Sequence, residues 1–99
     1  MSLENTGRLI FYTNLINDFL LKKIDILDFE RKFSGEFKNE TVFFPQCIFD
    51  VLDTLFADID AYNPNINLRG NDSIGEDELR ERARRAHVSL MAYLLEQPR

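Results

Sequence analysis

Apolar residues recur at intervals of three and four in four separate segments of this chain. The spacing matches the 3.6 residues per turn of an α-helix, so each segment carries its apolar side chains on one face. We find no convincing alternation of apolar and polar residues that would indicate a β-strand. The pattern therefore predicts an all-α fold in which the four apolar faces are buried against one another.

The first two helices are predicted to follow each other closely along the chain. The first covers residues 8–22, and its apolar face consists of Leu9, Tyr12, Ile16, Phe19 and Leu20. Asp25 is a suitable N-cap for the second helix, because its carboxylate can accept a hydrogen bond from a backbone N–H of the first turn. The second apolar stripe consists of Ile26, Phe29, Phe33 and Phe37. Gly35 is expected to fray the end of this helix.

The second half of the chain predicts two more helices and a loop between them. Pro45 suits the first turn of a third helix, where its missing N–H would have no partner in any case. The inner face of this helix is formed by Ile48, Leu52, Leu55 and Ile59. Residues 61–75 contain Pro, Gly and several Asn without a sustained period, which predicts an ordered loop. Ser73 and Glu76 form a capping box that opens a fourth helix. The predicted architecture is a four-helix antiparallel bundle with a longer loop between helices three and four.

A length of 99 residues suits one domain, spanning residues 1–99, and is too short for two cores. The single cysteine, Cys47, cannot form an internal disulfide and is interpreted as a small apolar core residue. The apolar run near the N-terminus is interrupted by polar residues and follows no positively charged leader. We therefore expect a cytoplasmic protein without a membrane span.

The negative charge of the chain is concentrated in one segment. The whole chain has 12 basic and 17 acidic residues, a net charge of −5. Residues 50–81 alone contain nine acidic and two basic residues, a net charge of −7. A general nucleic-acid binder needs a basic surface to neutralise phosphates, so the net charge argues against this class.

Three carboxylates of the third helix fall on the side opposite its apolar face. On a helical wheel Asp50, Asp53 and Asp60 lie together. Asp58 and Asp60 also lie toward the C-terminal end, where the helix dipole disfavours negative charge. Two interpretations remain open: a solvated face, or a negative strip that binds a positively charged partner. Tyr62, which follows these acids, either packs over the end of the bundle or anchors an interface.

The acids of the fourth helix have a structural explanation. Its first turn is acidic, which the helix dipole favours. Acid-before-base pairs four residues apart support the same helix. These predicted pairs are Glu76–Arg80, Glu78–Arg82 and Glu81–Arg85.

No constellation for metal binding or catalysis stands out. The D-x-D at Asp58 does not begin an EF-hand loop, because Asn63 stands where glycine is required and Arg69 stands where glutamate is required. His87 is the only histidine, has no evident nucleophile as a partner and is interpreted as a partly buried helix residue. We therefore expect a protein that is not an enzyme and needs neither metal nor cofactor.

Three segments carry a resemblance to a known family: "KKIDILDFERKF", "IFDVLDTLFADIDAYNPNINLR" and "IGEDELRERA". Together they resemble the colicin D type of bacterial immunity proteins, which includes immunity proteins of contact-dependent growth inhibition systems. The resemblance extends from Leu9 to Leu94. It implies a small helical bundle that binds and neutralises a cognate toxin nuclease, commonly one that cuts tRNA.

The resemblance also suggests where the toxin would bind. A nuclease has a basic cleft for its polyanionic substrate, and a row of carboxylates can occupy the phosphate positions. Arg69 is expected to brace the loop through Asp60 or Asp72. The candidate partner-binding residues are Asp50, Asp53, Asp58, Asp60, Tyr62, Asn63, Asn65 and Arg69.

The expected function is that of an immunity protein which binds its toxin as a monomer in a 1:1 complex. Neither nucleic acid nor a membrane is expected as a partner. The alternative is a small acidic helical adaptor or structural interaction module, whose acidic face serves only solubility.

Overall fold

Four α-helices make up most of the computed structural model, which describes residues 3–63, 65 and 73–96. The helices are α1 (Leu3–Leu20), α2 (Ile26–Lys38), α3 (Gln46–Ala61) and α4 (Glu76–Glu96). The described residues contain no β-strand, and their β structure is limited to an isolated parallel bridge between Tyr62 and Ile74. The predicted all-α fold is confirmed.

The helices pack in a ring, with α1 against α2 and α4, and α3 against the same two helices. Contacts between opposite ends show that neighbours run antiparallel. Arg80, near the start of α4, donates to the carbonyl oxygen of Phe19 at the end of α1 over 2.7 Å. Arg82 in the second turn of α4 pairs with Asp58 near the end of α3. The predicted antiparallel four-helix bundle is confirmed as well.

Aromatic rings fill the space between α1 and α2. Phe19 stacks on Phe29 with ring centroids 4.2 Å apart, and Tyr12 lies 5.5 Å from Phe33. Burying one such side chain contributes about 1.5–3 kcal/mol to stability, and paired rings add about 0.5–1.5 kcal/mol. The buried apolar core consists of Leu9, Tyr12, Leu15, Ile16, Phe19, Phe29, Phe33, Phe44, Ile48, Leu52, Leu55, Ile59, Leu79, Ala83, Ala86 and Leu90. These residues include most of the apolar positions that the sequence predicts for the first three helices.

The first helix ends two residues earlier than its apolar pattern predicts. Lys22 has a positive φ of 61°, a backbone conformation that a helix cannot contain. The N–H of Lys23 bonds to the carbonyl of Asp18 over 2.9 Å, which closes the helix end in the manner of a Schellman motif. Helix α1 also begins earlier than predicted, at Leu3.

Helix α2 starts as the sequence predicts and extends further than expected. Asp25 is its N-cap, and its carboxylate accepts from the N–H of Asp28 over 2.8 Å. The expected fraying at Gly35 is wrong, because the helix continues to Lys38. The glycine costs only about 1 kcal/mol, and the packing of Phe37 against the core outweighs it.

The starts of α3 and α4 differ in detail from the predictions. Pro45 lies just before α3 as its N-cap, and its carbonyl accepts from the N–H of Ile48 and of Phe49. Helix α4 begins at Glu76, three residues after Ser73. The bridge of Ile74 to Tyr62 holds the chain in a non-helical conformation there, so the first turn starts only beyond it.

Candidate functional site

Helix α3 places three carboxylates in solvent, as its helical wheel predicts. The inner face of the helix is buried. On the outer face Asp50, Asp53 and Asp60 are exposed, together with Ala57. We call Asp50, Asp53 and Asp60 the acidic stripe. With a rise of about 1.5 Å per residue, the stripe covers about 15 Å along the helix.

The acidic stripe differs from the acids of α4 in its partners. No ion pair joins a residue of the stripe to any described residue, although Gln46 donates to Asp50 over 2.7 Å. In α4, by contrast, each predicted acid–base pair is present: Glu76–Arg80 at 2.9 Å, Glu78–Arg82 at 3.0 Å and Glu81–Arg85 at 3.4 Å. Glu81 also binds Arg84, whose hydrogen bond lowers the pKa of the Glu81 carboxyl. The charges of Glu76, Glu78 and Glu81 are therefore compensated within α4, whereas no cation among the described residues compensates the stripe.

Asp58 has a different environment from the other acids of α3. Its side chain is buried, and one carboxylate oxygen accepts from Arg82 over 2.6 Å. This hydrogen bond raises the pKa of the Arg82 guanidinium, with a smaller contribution from Glu78. The ion pair links the end of α3 to the start of α4. Contact of Asp58 with a partner stays a prediction, and such a partner would compete with Arg82 for the carboxylate.

The residues that follow α3 are held by Ile74, which lies just before α4. The N–H of Ile74 donates to the carbonyl of Ala61, and the N–H of Asn63 donates to the carbonyl of Ile74, each over 3.0 Å. Tyr62 between them is half-buried and packs against the core. The side-chain oxygen of Asn63 accepts from the N–H of Asn65 over 3.0 Å, and Asn65 is exposed.

Part of the predicted site lies beyond what the structure describes. Arg69 and its predicted partner Asp72 are outside the described residues. The described candidates lie close together along the chain. The acidic stripe is on α3, and Tyr62, Asn63 and Asn65 follow the end of that helix.

Surface grooves border α3 on both sides. The groove between α3 and α4 has a volume of about 420 Å³, and Asp50, Asp58 and Arg82 are among its lining residues. A groove between α2 and α3 is lined by Asp60, Phe56 and Lys38, among others. Acids of the same helix therefore border two different grooves.

The sequence interpretation of Cys47 is wrong. The thiol is exposed rather than part of the core. Cys47 precedes the buried Ile48 by one residue and so lies about 100° around the helix from it. His87 is half-buried in α4, as expected.

A partly buried polar cluster that the periodicity does not reveal fixes the linker before α3. The carboxylate of Glu40 accepts from Arg8 over 2.9 Å and from the hydroxyl of Tyr12 over 2.5 Å. It also accepts from the backbone N–H of Thr41 and of Val42. We call Arg8, Tyr12 and Glu40 the Glu40 cluster. It connects α1 to the linker between α2 and α3. Arg8 and Glu40 are 32 residues apart in the sequence, too far for a local sequence pattern to predict their contact.

The pKa values of the Glu40 cluster reflect this arrangement. Burial raises the pKa of Glu40, but hydrogen bonds from Arg8, Tyr12 and the Val42 N–H outweigh burial, so that the pKa is lowered below 4.5. Burial and the hydrogen bond to Glu40 together raise the pKa of Tyr12. The cluster therefore holds a charged carboxylate and a neutral phenol at neutral pH.

The exposure of the acidic stripe leads to a stability prediction. We expect the double variant Asp50→Asn, Asp53→Asn to unfold at an unchanged or slightly higher temperature, because it removes a like-charge pair worth a few tenths of a kcal/mol. Thermal unfolding followed by circular dichroism measures this. Asp58→Asn is the contrasting control, since loss of the Arg82 pair costs about 1–3 kcal/mol. A fall of more than about 5 °C in the double variant would show that the stripe is engaged within the bundle.

In the part of the chain that the structure describes, no three His, Cys, Asp or Glu side chains converge to hold a metal ion. None of the described helices combines the length and the apolar character that a membrane span requires.

Comparison with known proteins identifies the family of this chain. A family model described as bacterial self-protective colicin-like immunity matches residues 8–90, which include all of α2 and α3 and most of α1 and α4. No curated protein and no solved structure gave a match. Since the match covers well over half of the chain, the protein is a member of the bacterial self-protective colicin-like immunity family.

Proposed function

We propose that this protein binds and neutralises a toxin nuclease by covering the basic active-site cleft of the nuclease with the acidic stripe of α3. Family membership supports a toxin as the partner. The finer proposal, of the colicin D type or a contact-dependent growth inhibition system with a tRNA-cutting toxin, rests on the resemblance of the segments around α3. The protein acts stoichiometrically in the cytoplasm, as a monomer in a 1:1 complex and without catalysis.

One observation carries the proposal: the carboxylates of the stripe are exposed, lie on a regular helix and form no ion pair with a described residue. Such charges keep their full attraction for a basic surface. They are also preorganised, because the buried face of α3 fixes the helix in the bundle. Acids already paired with arginine, such as Glu78, would have to exchange one partner for another.

The residues after α3 extend the proposed contact. Tyr62 and Asn63 are positioned by the backbone bonds to Ile74 at the end of the helix that carries Asp60. Exposed Asn65 lies just beyond them. We include Asp58 in the proposed surface as a contact residue and Arg69 as a residue that braces the loop.

The salt dependence of association tests the proposal. A catalytically inactive form of the cognate toxin domain is mixed with the protein in a stopped-flow instrument. We expect association to slow at least about tenfold between low salt and 0.5 M salt, because screening shortens the range of electrostatic steering to less than about 8 Å. A parallel assay with active toxin should show loss of nuclease activity at one equivalent of the protein.

The possible outcomes separate the alternatives. Inhibition at one equivalent with association that is independent of salt would reject the acidic stripe as the contact and leave the immunity function standing. Neither binding nor inhibition would favour the acidic adaptor instead. A control with Glu96→Lys, at the far end of α4, should keep the salt dependence of the parent protein.

A further inference from the structure

An apolar groove opens between the end of α2, the linker and the start of α3. Its volume is about 280 Å³. Phe37 is one of its lining residues, and its ring centroid lies 5.8 Å from that of Phe49 and 5.3 Å from that of Phe56. Phe49 remains 43% exposed although it is in the first turn of α3. The lining residues are Phe37, Lys38, Glu40, Val42, Phe44, Phe49 and Phe56.

Phe43 stands beside this groove with its ring in solvent. It is 91% exposed, whereas its chain neighbours Val42 and Phe44 line the groove. Consecutive Cα atoms are about 3.8 Å apart, so the backbone of Phe43 passes beside the groove, while its exposed ring is not part of the groove lining. We call Phe43, Phe49 and Phe56 the aromatic patch.

The backbone around Phe43 is fixed on both sides. Asn5 of α1 donates to the carbonyl oxygen of Phe43 over 2.8 Å. Glu40 accepts from the N–H of Val42, and the ring of Phe44 is buried in the core. The backbone that carries the exposed ring is therefore already fixed by hydrogen bonds. Binding of a partner would cost little additional backbone entropy.

Two rings of the aromatic patch, Phe49 and Phe56, lie on the same face of α3 as Asp53 and Asp60 of the acidic stripe. Phe49, Asp53, Phe56 and Asp60 are separated by four, three and four residues, which places them in a single row along the helix. Aromatic and acidic side chains alternate in this row. A covering surface must therefore offer apolar groups and cations together.

We infer that the aromatic patch docks an apolar part of the toxin, adjacent to the toxin's basic cleft, and provides most of the lasting affinity of the complex. The inference rests on the proposed function. A second copy of this chain fits less well, because a symmetric contact through this face would bring the unpaired acidic stripes toward each other. Aromatic side chains at the centre of an interface commonly carry most of its binding energy, whereas exposed acids mainly set the association rate.

The test is Phe43→Ala, measured by surface plasmon resonance against the same inactive toxin domain. We expect Kd to rise about 30-fold, almost entirely through faster dissociation, with the association rate unchanged within about threefold. Because the ring is exposed, the unfolding temperature should stay that of the parent protein. The matched control is Leu95→Ala, another largely exposed apolar side chain, at the end of α4. Its Kd should not change.

Failure of this inference can be distinguished from failure of the proposed function. If the parent protein binds and inhibits the toxin and Phe43→Ala dissociates at the same rate, the patch is not the docking site while the proposed function stands. If the parent protein does not bind the toxin, the proposed function fails first. Analytical ultracentrifugation at high protein concentration measures whether the protein forms a dimer. A dimer that Phe43→Ala dissociates would assign the patch to a second copy of this chain.

Discussion

Charge reversal at Asp60 is expected to weaken the complex with the toxin nuclease by about 2–5 kcal/mol, a factor of about 30 to several thousand in Kd. Asp60 is exposed, forms no ion pair with a described residue and lies at the end of α3 where the helix dipole adds negative potential. In the proposed complex its carboxylate faces a cation of the toxin. Asp60→Lys leaves that cation unpaired in a desolvated contact and adds repulsion.

Affinity and protection should be measured in parallel for this variant. Isothermal titration with the inactive toxin domain gives Kd, and growth of cells that express the active toxin gives protection. Glu96→Lys changes the net charge equally and lies at the opposite end of the molecule, because α4 runs antiparallel to α3. Wild-type affinity and full protection by a folded Asp60→Lys variant would remove the acidic stripe as the inhibitory surface.

Loss of the Glu40 carboxylate is expected to be the most destabilising change of a polar residue in the described bundle. Glu40→Ala removes the hydrogen-bond partner of the hydroxyl of Tyr12, a residue that is 0% exposed. It also removes one of the two carboxylates that bind Arg8. It also releases two backbone N–H groups of the linker. Leaving buried groups without partners costs about 2–4 kcal/mol in total. For a chain of this size the unfolding temperature should fall by roughly 10–25 °C.

The control for this prediction is Glu36→Ala. Glu36 also accepts from Arg8, over 3.2 Å, but its side chain is 48% exposed. An exposed ion pair of this kind contributes at most about 1 kcal/mol. Urea unfolding of both variants measures the difference. Equal and small losses would show that the Glu40 cluster contributes no more than a surface pair.

The contribution of Glu40 should also depend on pH. Since its pKa is lower in the folded protein than its ordinary value of 4.5, the carboxylate stabilises the folded state above that value. The contribution is lost as pH falls through the lowered pKa. The gap in unfolding free energy between the parent protein and Glu40→Gln should therefore be largest near neutral pH and narrow below about pH 4. A gap that stays constant from pH 7 to pH 3 would contradict this.

Asp58 shows which features of a residue a helical wheel predicts and which it does not. The wheel assigns the exposed positions of α3 correctly, because exposure there follows from the angle to the buried stripe. Asp58 follows the buried Leu55 by three residues, so the sequence does contain a signal that it lies beside the core. Its partner Arg82 is 24 residues away on another helix. Only the packing of α3 against α4 brings the two together.

The linker before α3 and Cys47 also show which features local sequence patterns predict and which they do not. The run of two phenylalanines before Pro45 does not say which ring is buried, and the structure buries Phe44 and exposes Phe43. The tendency of cysteine to be buried misled the interpretation of Cys47, whose angle to Ile48 already favoured the surface.

The sequence by itself determined what depends on neighbours within one or two turns. These features are four helices, the faces they bury, the Asp25 cap, the acid–base pairs of α4 and the exposed acidic stripe. Tertiary structure alone decided which charges are neutralised across helices, as in Asp58–Arg82 and the Glu40 cluster, and which aromatic rings remain in solvent. The physical reason is range: helical periodicity fixes the direction of a side chain relative to its own helix. The residue it meets there depends on how the four helices pack.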